Sequence, residues 1–139
     1  MSGDDLDPNE VTEALGRAPT FAAKRGELRK SGQSTIRQPT GVWLFQLGDS
    51  KEWVLADAIR TLLKTLPPPT DVWAQLARRF ELRISAGLFL EQWNRGCELS
   101  SELVAELAAR HLGLDLDIYS DVEGDAYPAL EAGGALLLW

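Results

Sequence analysis

The chain has 139 residues, of which 45% are hydrophobic and 25% charged, and its formal net charge is −7. This length suits one domain with a real core, and the composition is that of a folded globular protein. The negative charge disfavours nonspecific binding to nucleic acid or to an anionic membrane, and no apolar run is long enough to span a bilayer. A single cysteine and a single histidine exclude an internal disulfide and a multi-histidine metal site. We therefore expect no metal, no cofactor and, by default, a cytoplasmic location.

The first predicted element is a short helix beginning after Asp7, which is a good N-cap residue followed by Pro8 at the first helical position. Glu10 completes a capping box, Leu6 and Val11 occupy the two positions of a hydrophobic staple, and Gly16 ends the helix. Very little sequence stands in front of this helix. The sequence therefore predicts a domain whose first strand is missing.

Residues 17–40 show no sustained periodicity and are rich in Gly, Ser, Thr and basic side chains. We expect a long basic surface loop here, with room for one brief strand. Long loops in compact domains are often functional, and Lys24, Arg25 and Arg29 are its candidate contacts for an anion or a partner. Most charge blocks of this kind are nevertheless only solvated surface.

Strands and helices alternate through the rest of the chain. The run TGVWLFQL at 40–47 is typical of a buried strand, and the apolar spacing over 50–66 and 70–79 predicts two helices. Residues 80–91 alternate apolar and polar side chains and predict a half-exposed strand that carries Arg83 on its polar face. Ser100 caps a further helix, and LDLDIYS at 114–120 predicts another strand.

These elements predict an α+β fold in which helices pack on one face of a mainly antiparallel sheet, with ferredoxin-like strand–helix alternation. Residues 1–121 would form the single domain and residues 122–139 a tail. The terminal ALLLW either packs on or beside the sheet, partly replacing the missing strand, or is a frayed apolar tail that self-associates. An open sheet edge would also permit a homodimer.

The segments SGDDLDPNEVTEALGRAPT, KRGE, TGVW and CELSSELVAELAARHLGLDLDIYSD together resemble a bacterial family, domain of unknown function 4279, over residues 2–121. In that family a strand normally leads directly into SGDDLDP, whereas this sequence starts there. The family also has a glycine-rich stretch before its last helix, where this chain has LEQWNRGCELS. The resemblance implies a fold and no particular chemistry.

No catalytic arrangement stands out, because His111 and Cys97 lie in no recognisable motif. We therefore expect a non-catalytic binding or interaction module, for example an immunity-like protein, a small acidic domain that neutralises a toxin by masking a basic site. Trp93 with Arg95 is a candidate contact pair, since Trp and Arg are enriched in interface hot spots, and Arg83 could join them. The alternative is a small-molecule or anion sensor using Lys24, Arg25 and Arg29 above Trp43. An unrecognised enzyme is the third hypothesis.

Overall fold

We describe the protein from a computed structural model, which describes residues 1–48, 54–66, 69–90, 96–120 and 136–138. Eight strands and four helices lie within these ranges, and the α+β class is confirmed. In chain order they are β1 (Ser2–Gly3), α1 (Pro8–Leu15), β2 (Phe21–Ala23), β3 (Leu28–Ser31), β4 (Ser34–Arg37), β5 (Gly41–Leu47), α2 (Leu55–Thr65), α3 (Thr70–Ala77), β6 (Arg83–Leu90), α4 (Ser101–Ala109), β7 (Gly113–Ser120) and β8 (Leu136–Leu138).

Helix α1 begins and ends as its sequence predicts. The Asp7 carboxylate accepts a hydrogen bond from the Asn9 backbone N–H at 3.0 Å, and Gly16 takes the left-handed conformation that ends the helix (φ 62°). Leu6 and Val11 are both buried, as a hydrophobic staple requires. Glu10 does not close the predicted capping box, because its carboxylate is ion-paired with a guanidinium beyond the end of α3.

The other three helices bury the apolar stripes that their spacing predicted. Ile59 and Leu62 of α2 and Trp73 of α3 are all less than 2% exposed. In α4 the Ser100 hydroxyl caps the helix by accepting a hydrogen bond from the Leu103 backbone N–H at 3.3 Å. All four helices contribute to one hydrophobic core with the inner face of the sheet, which places them on that face.

In the main sheet β5 pairs along one edge with β1 and then β8, and along its other edge with β2; β8 is followed by β6 and then β7. Every pairing is antiparallel except that of β6 with β7, which are joined by α4 and run parallel. Since β8 is antiparallel to both β5 and β6, these two strands run parallel to each other, with another strand between them. The unit β5–α2–α3–β6 is thus the split βαβ unit of a ferredoxin-like fold, whereas β6–α4–β7 is a direct βαβ unit with adjacent strands.

Two distant parts of the chain share the position between β5 and β6. Ser2 pairs with Val42 of β5 and bridges Glu81, just before β6. Further along the same position, β8 pairs with residues 45–47 of β5 and residues 84–86 of β6. The expectation that no strand precedes α1 is therefore wrong: a two-residue strand is present, and Leu136–Leu138 extends it inside the sheet.

The expectation of a long loop over residues 17–40 is also wrong. Strand β2 joins the main sheet, and β3 and β4 form a separate two-stranded hairpin. The sequence signal was weak because neither face of this hairpin enters the core, so its side chains show no clear apolar alternation. The backbone of Gln38, a buried residue, closes the base of the hairpin: its carbonyl accepts from the Gly26 N–H and its N–H donates to the Glu27 carbonyl, both at 2.8 Å.

Candidate functional site

The first two predicted contact residues are ion-paired to the acidic segment at the start of the chain. The Lys24 ammonium lies 2.7 Å from an Asp7 carboxylate oxygen, and the Arg25 guanidinium lies 2.7 Å from that of Asp4. These four side chains are 42–60% exposed, so each pair adds little stability on its own. Two cations of the predicted basic loop are therefore neutralised by carboxylates from the first seven residues.

The pair with Lys24 also acts on the cap of α1. The hydrogen bond from Lys24, followed by that from the Asn9 N–H, holds the pKa of the Asp7 carboxyl below its ordinary value. The charged carboxylate is the better acceptor at a helix N-terminus, where it also meets the positive end of the helix dipole. Lys24 is consequently already paired with the carboxylate that caps α1.

The β3–β4 hairpin is the most exposed regular element among the described residues. Every β4 side chain is exposed, and so is each described side chain of β3. Two large apolar residues are among them, Leu28 at 60% and Ile36 at 39% exposure. The register sets Leu28 opposite Arg37 and Arg29 opposite Ile36, so each face of the hairpin carries one apolar side chain beside one arginine.

The cations of this hairpin are arranged differently from Lys24 and Arg25. Within the described ranges no carboxylate forms a salt bridge with Arg29, Lys30 or Arg37. The Arg29 guanidinium lies over the Phe21 ring at 5.5 Å, and Arg37 donates to the Gly26 carbonyl at 3.1 Å. In neither contact does a carboxylate of the described residues offset the positive charge.

Arg83 belongs to a different cluster. Its guanidinium is ion-paired with Glu81 and, at 2.8 Å, with Asp115 of the neighbouring strand β7. The side chain is 39% exposed and meets two carboxylates, so its surroundings carry a net negative charge. The structure thus does not show Arg83 as part of one anion-binding surface with the hairpin.

The other residues that the sequence analysis considered lie away from the hairpin or outside the described parts of the chain. Trp93 and Arg95 fall outside the described residues. Trp43, predicted to lie beneath an anion site, is fully buried, and its indole N–H donates to the Thr12 hydroxyl at 3.1 Å. Cys97 is exposed, and His111 follows the end of α4 with a positive φ of 54°.

The described parts of the chain offer neither a cluster of metal-ligating side chains nor a membrane-spanning helix. No group of three or more His, Cys, Asp or Glu side chains there is placed to hold a metal ion. None of the helices described is both long enough and apolar enough to cross a membrane.

Sequence reasoning missed Lys30, Arg37, Leu28 and Ile36 as candidate contact residues. A signal was present: four residues on each side of Gly32-Gln33 could pair, and Gly32 takes the positive φ (59°) that such a turn favours. It was overlooked because the flanking residues are mostly polar, which is typical of loops as well as of exposed hairpins.

Comparison with known proteins gives one result. The family described as "Domain of unknown function (DUF4279)" matches residues 1–121. No curated protein and no solved structure matches the chain. The matched region includes β1 through β7, among them the β3–β4 hairpin and both ion pairs at its base, whereas β8 lies beyond it. Since this match covers most of its length, the chain belongs to the domain of unknown function 4279 family.

Proposed function

We propose that this protein is a non-catalytic, cytoplasmic interaction module that binds an acidic surface of a partner protein through the β3–β4 hairpin. The observation that carries the proposal is the exposure of Leu28 and Ile36 on an ordered hairpin that contributes nothing to the core. Ordering a backbone costs roughly 1–2 kcal/mol per residue, and large apolar side chains on an isolated hairpin recover little of that cost. A contact surface accounts for both features.

The charges indicate the kind of partner. Arg29, Lys30 and Arg37 project from a protein whose net charge is −7, so this surface is locally opposite in sign to the rest of the chain. Such a patch attracts a complementary acidic surface and orients it, while the acidic remainder repels it elsewhere. Arginine is also enriched at the centres of protein interfaces.

An immunity-like protein, which neutralises its partner by covering a site, is one form of such a module. Because the proposed contact lies on the basic hairpin, the covered site on the partner would be acidic, whereas the net charge of the whole chain led us to expect a basic one. It also takes Lys24 and Arg25 as supports of the hairpin base, because both are already paired with carboxylates.

The test compares two double charge reversals. The hairpin variant carries Arg29→Glu and Lys30→Glu. The control variant, called the helix variant, carries Lys64→Glu in α2 and Arg78→Glu just after α3, which are also two exposed cations. A partner captured from native lysate by the unmodified protein is purified, and its Kd is measured for each variant at low and high salt. We expect the hairpin variant to bind at least about tenfold more weakly, while the helix variant binds nearly as the parent does.

Equal binding by both variants would exclude the hairpin as the contact surface. A parallel thermal-shift screen with anionic metabolites addresses the sensor hypothesis, because a ligand that binds the folded state raises Tm by mass action. A ligand that raises the Tm of the parent but not of the hairpin variant would favour a sensor over a protein-binding module.

A further inference from the structure

Two segments, one from each end of the chain, lie end to end in the strand position between β5 and β6. Both run antiparallel to β5 and share one register. Along β5, Trp43 exchanges backbone hydrogen bonds with Met1 at 2.8 and 2.9 Å, and Phe45 pairs with Leu138. Only Leu44 separates these two positions. Along β6, Ser2 lies opposite Glu81 and Leu138 opposite Ile84, three residues further on. Along β5 the same two residues lie opposite Val42 and Phe45, which are also three residues apart.

The two halves of this position are held differently. In the first half Met1 is fully buried, and Ser2 exchanges two backbone hydrogen bonds with Glu81, at 2.8 and 3.0 Å. In the second half, the three residues of β8 pair with residues 45–47 of β5 on one side and with residues 84–86 of β6 on the other. Without an occupant there, residues 45–47 and 84–86 would expose unpaired backbone groups in the middle of the sheet. The position therefore requires an extended segment.

The connection of β8 to the rest of the chain does not restrict it to its own molecule. Residues 121–135 join β7 to β8, and a chain of that length spans up to about 50 Å when fully extended. A folded protein of this size has a radius of gyration of about 14 Å. The connection is thus long enough to reach the same position in a neighbouring molecule.

We propose that the second half of this position accepts Leu136–Leu138 of a second copy of the chain, which gives a strand-exchanged dimer. The identical segment would make the same residue pairs with β5 and β6, so the strand itself does not distinguish its own sheet from its partner's. Only the effective concentration within one molecule favours the closed monomer, and that advantage falls as protein concentration rises. Exchange of an identical element is a low-cost route to a dimer.

The experiment detects the exchanged pair directly. In a Cys97→Ser background, one population carries Ser85→Cys and the other Leu137→Cys, since these two residues are Cα partners. The populations are unfolded together, refolded over a series of protein concentrations, oxidised and separated by size. A third population with Thr35→Cys, on the exposed hairpin, replaces Ser85→Cys as the mismatched control.

We expect the 85–137 disulfide only in the dimer fraction, in an amount that grows with concentration and exceeds the 35–137 control about tenfold. A single chain carrying both Ser85→Cys and Leu137→Cys should form the disulfide within the monomer at low concentration, which checks the register independently. Monomers at every concentration, or equal cross-linking in the control, would overturn the exchange. Failure of the intramolecular disulfide would overturn the β8 register on which it rests.

Discussion

Gly41 lies where the turn after β1 crosses the start of β5. A Cβ atom on Gly41 would lie 2.7 Å from the Leu6 carbonyl oxygen and 2.8 Å from that of Gly3. Both are backbone atoms, so the contact cannot be relieved by a side-chain rotation. In this chain the SGDDLDP segment thus supplies the turn and the TGVW segment the glycine beneath it.

The substitution Gly41→Ala is therefore expected to lower the free energy of unfolding by about 1–3 kcal/mol through overpacking. Gly48→Ala is the matched control, because no described atom lies within 4 Å of its added Cβ and we expect a change within about 0.5 kcal/mol. Urea denaturation of both variants measures the difference. A loss for Gly41→Ala no larger than that for Gly48→Ala would show that the turn moves away at little cost.

At the scale of elements, strand β8 occupies the place along β5 that residues ahead of β1 would take. Suppose that four residues are added ahead of Met1. The added residue next to Met1 falls opposite Leu44, and the three before it fall opposite residues 45–47, where β8 now pairs. The two segments cannot both pair there. The register thus makes β8 sensitive to what precedes Met1.

We expect an added Thr-Val-Thr-Val segment to displace β8, because β-branched residues favour a paired, extended conformation. Hydrogen exchange would then show loss of protection at Leu136–Leu138 and retained protection at residues 45–47. A Gly-Ser extension of equal length is the control, since it gains less from pairing and should leave β8 protected. Protected β8 amides in both extended proteins would contradict the competition.

The helices and the hairpin differ in how far their sequences specified them. Helices α1 and α4 carry side-chain caps and apolar stripes that act locally, so their N-termini were predicted correctly. The β3–β4 hairpin has neither a buried face nor an apolar period, and its sequence is equally suited to a loop. Its candidate contact residues became evident only from the pairing of its two strands.

At the scale of the whole molecule, the buried α-amine of Met1 links stability to pH. Burial, followed by the charge of Arg83, lowers the pKa of this ammonium from its ordinary 8.0 to about 4. When the chain begins at Met1 with a free amine, the folded state is deprotonated above about pH 4 and the unfolded state only above about pH 8. Between these values unfolding takes up a proton, so stability rises with pH.

We expect the free energy of unfolding to increase between pH 5.5 and 7.5 by up to about 1.4 kcal/mol per pH unit from this group. Urea denaturation across that range measures the slope. His111→Asn provides the background, since it removes the single histidine and asparagine tolerates the positive φ at that position. A free energy that is constant or falls with pH would show that the amine is charged in the folded protein.

The sequence by itself determined the elements whose signals are local: the capped helices, the apolar strands and hence the α+β class. Capping groups and apolar periodicity act within one or two turns of chain, so they can be read without a partner. Only the tertiary structure decided that residues from both ends of the chain share one strand position, that Lys24 and Arg25 are paired with Asp7 and Asp4, and that Arg29, Lys30 and Arg37 lie on an exposed hairpin. Those features depend on contacts between residues far apart in sequence, for which local patterns carry no information.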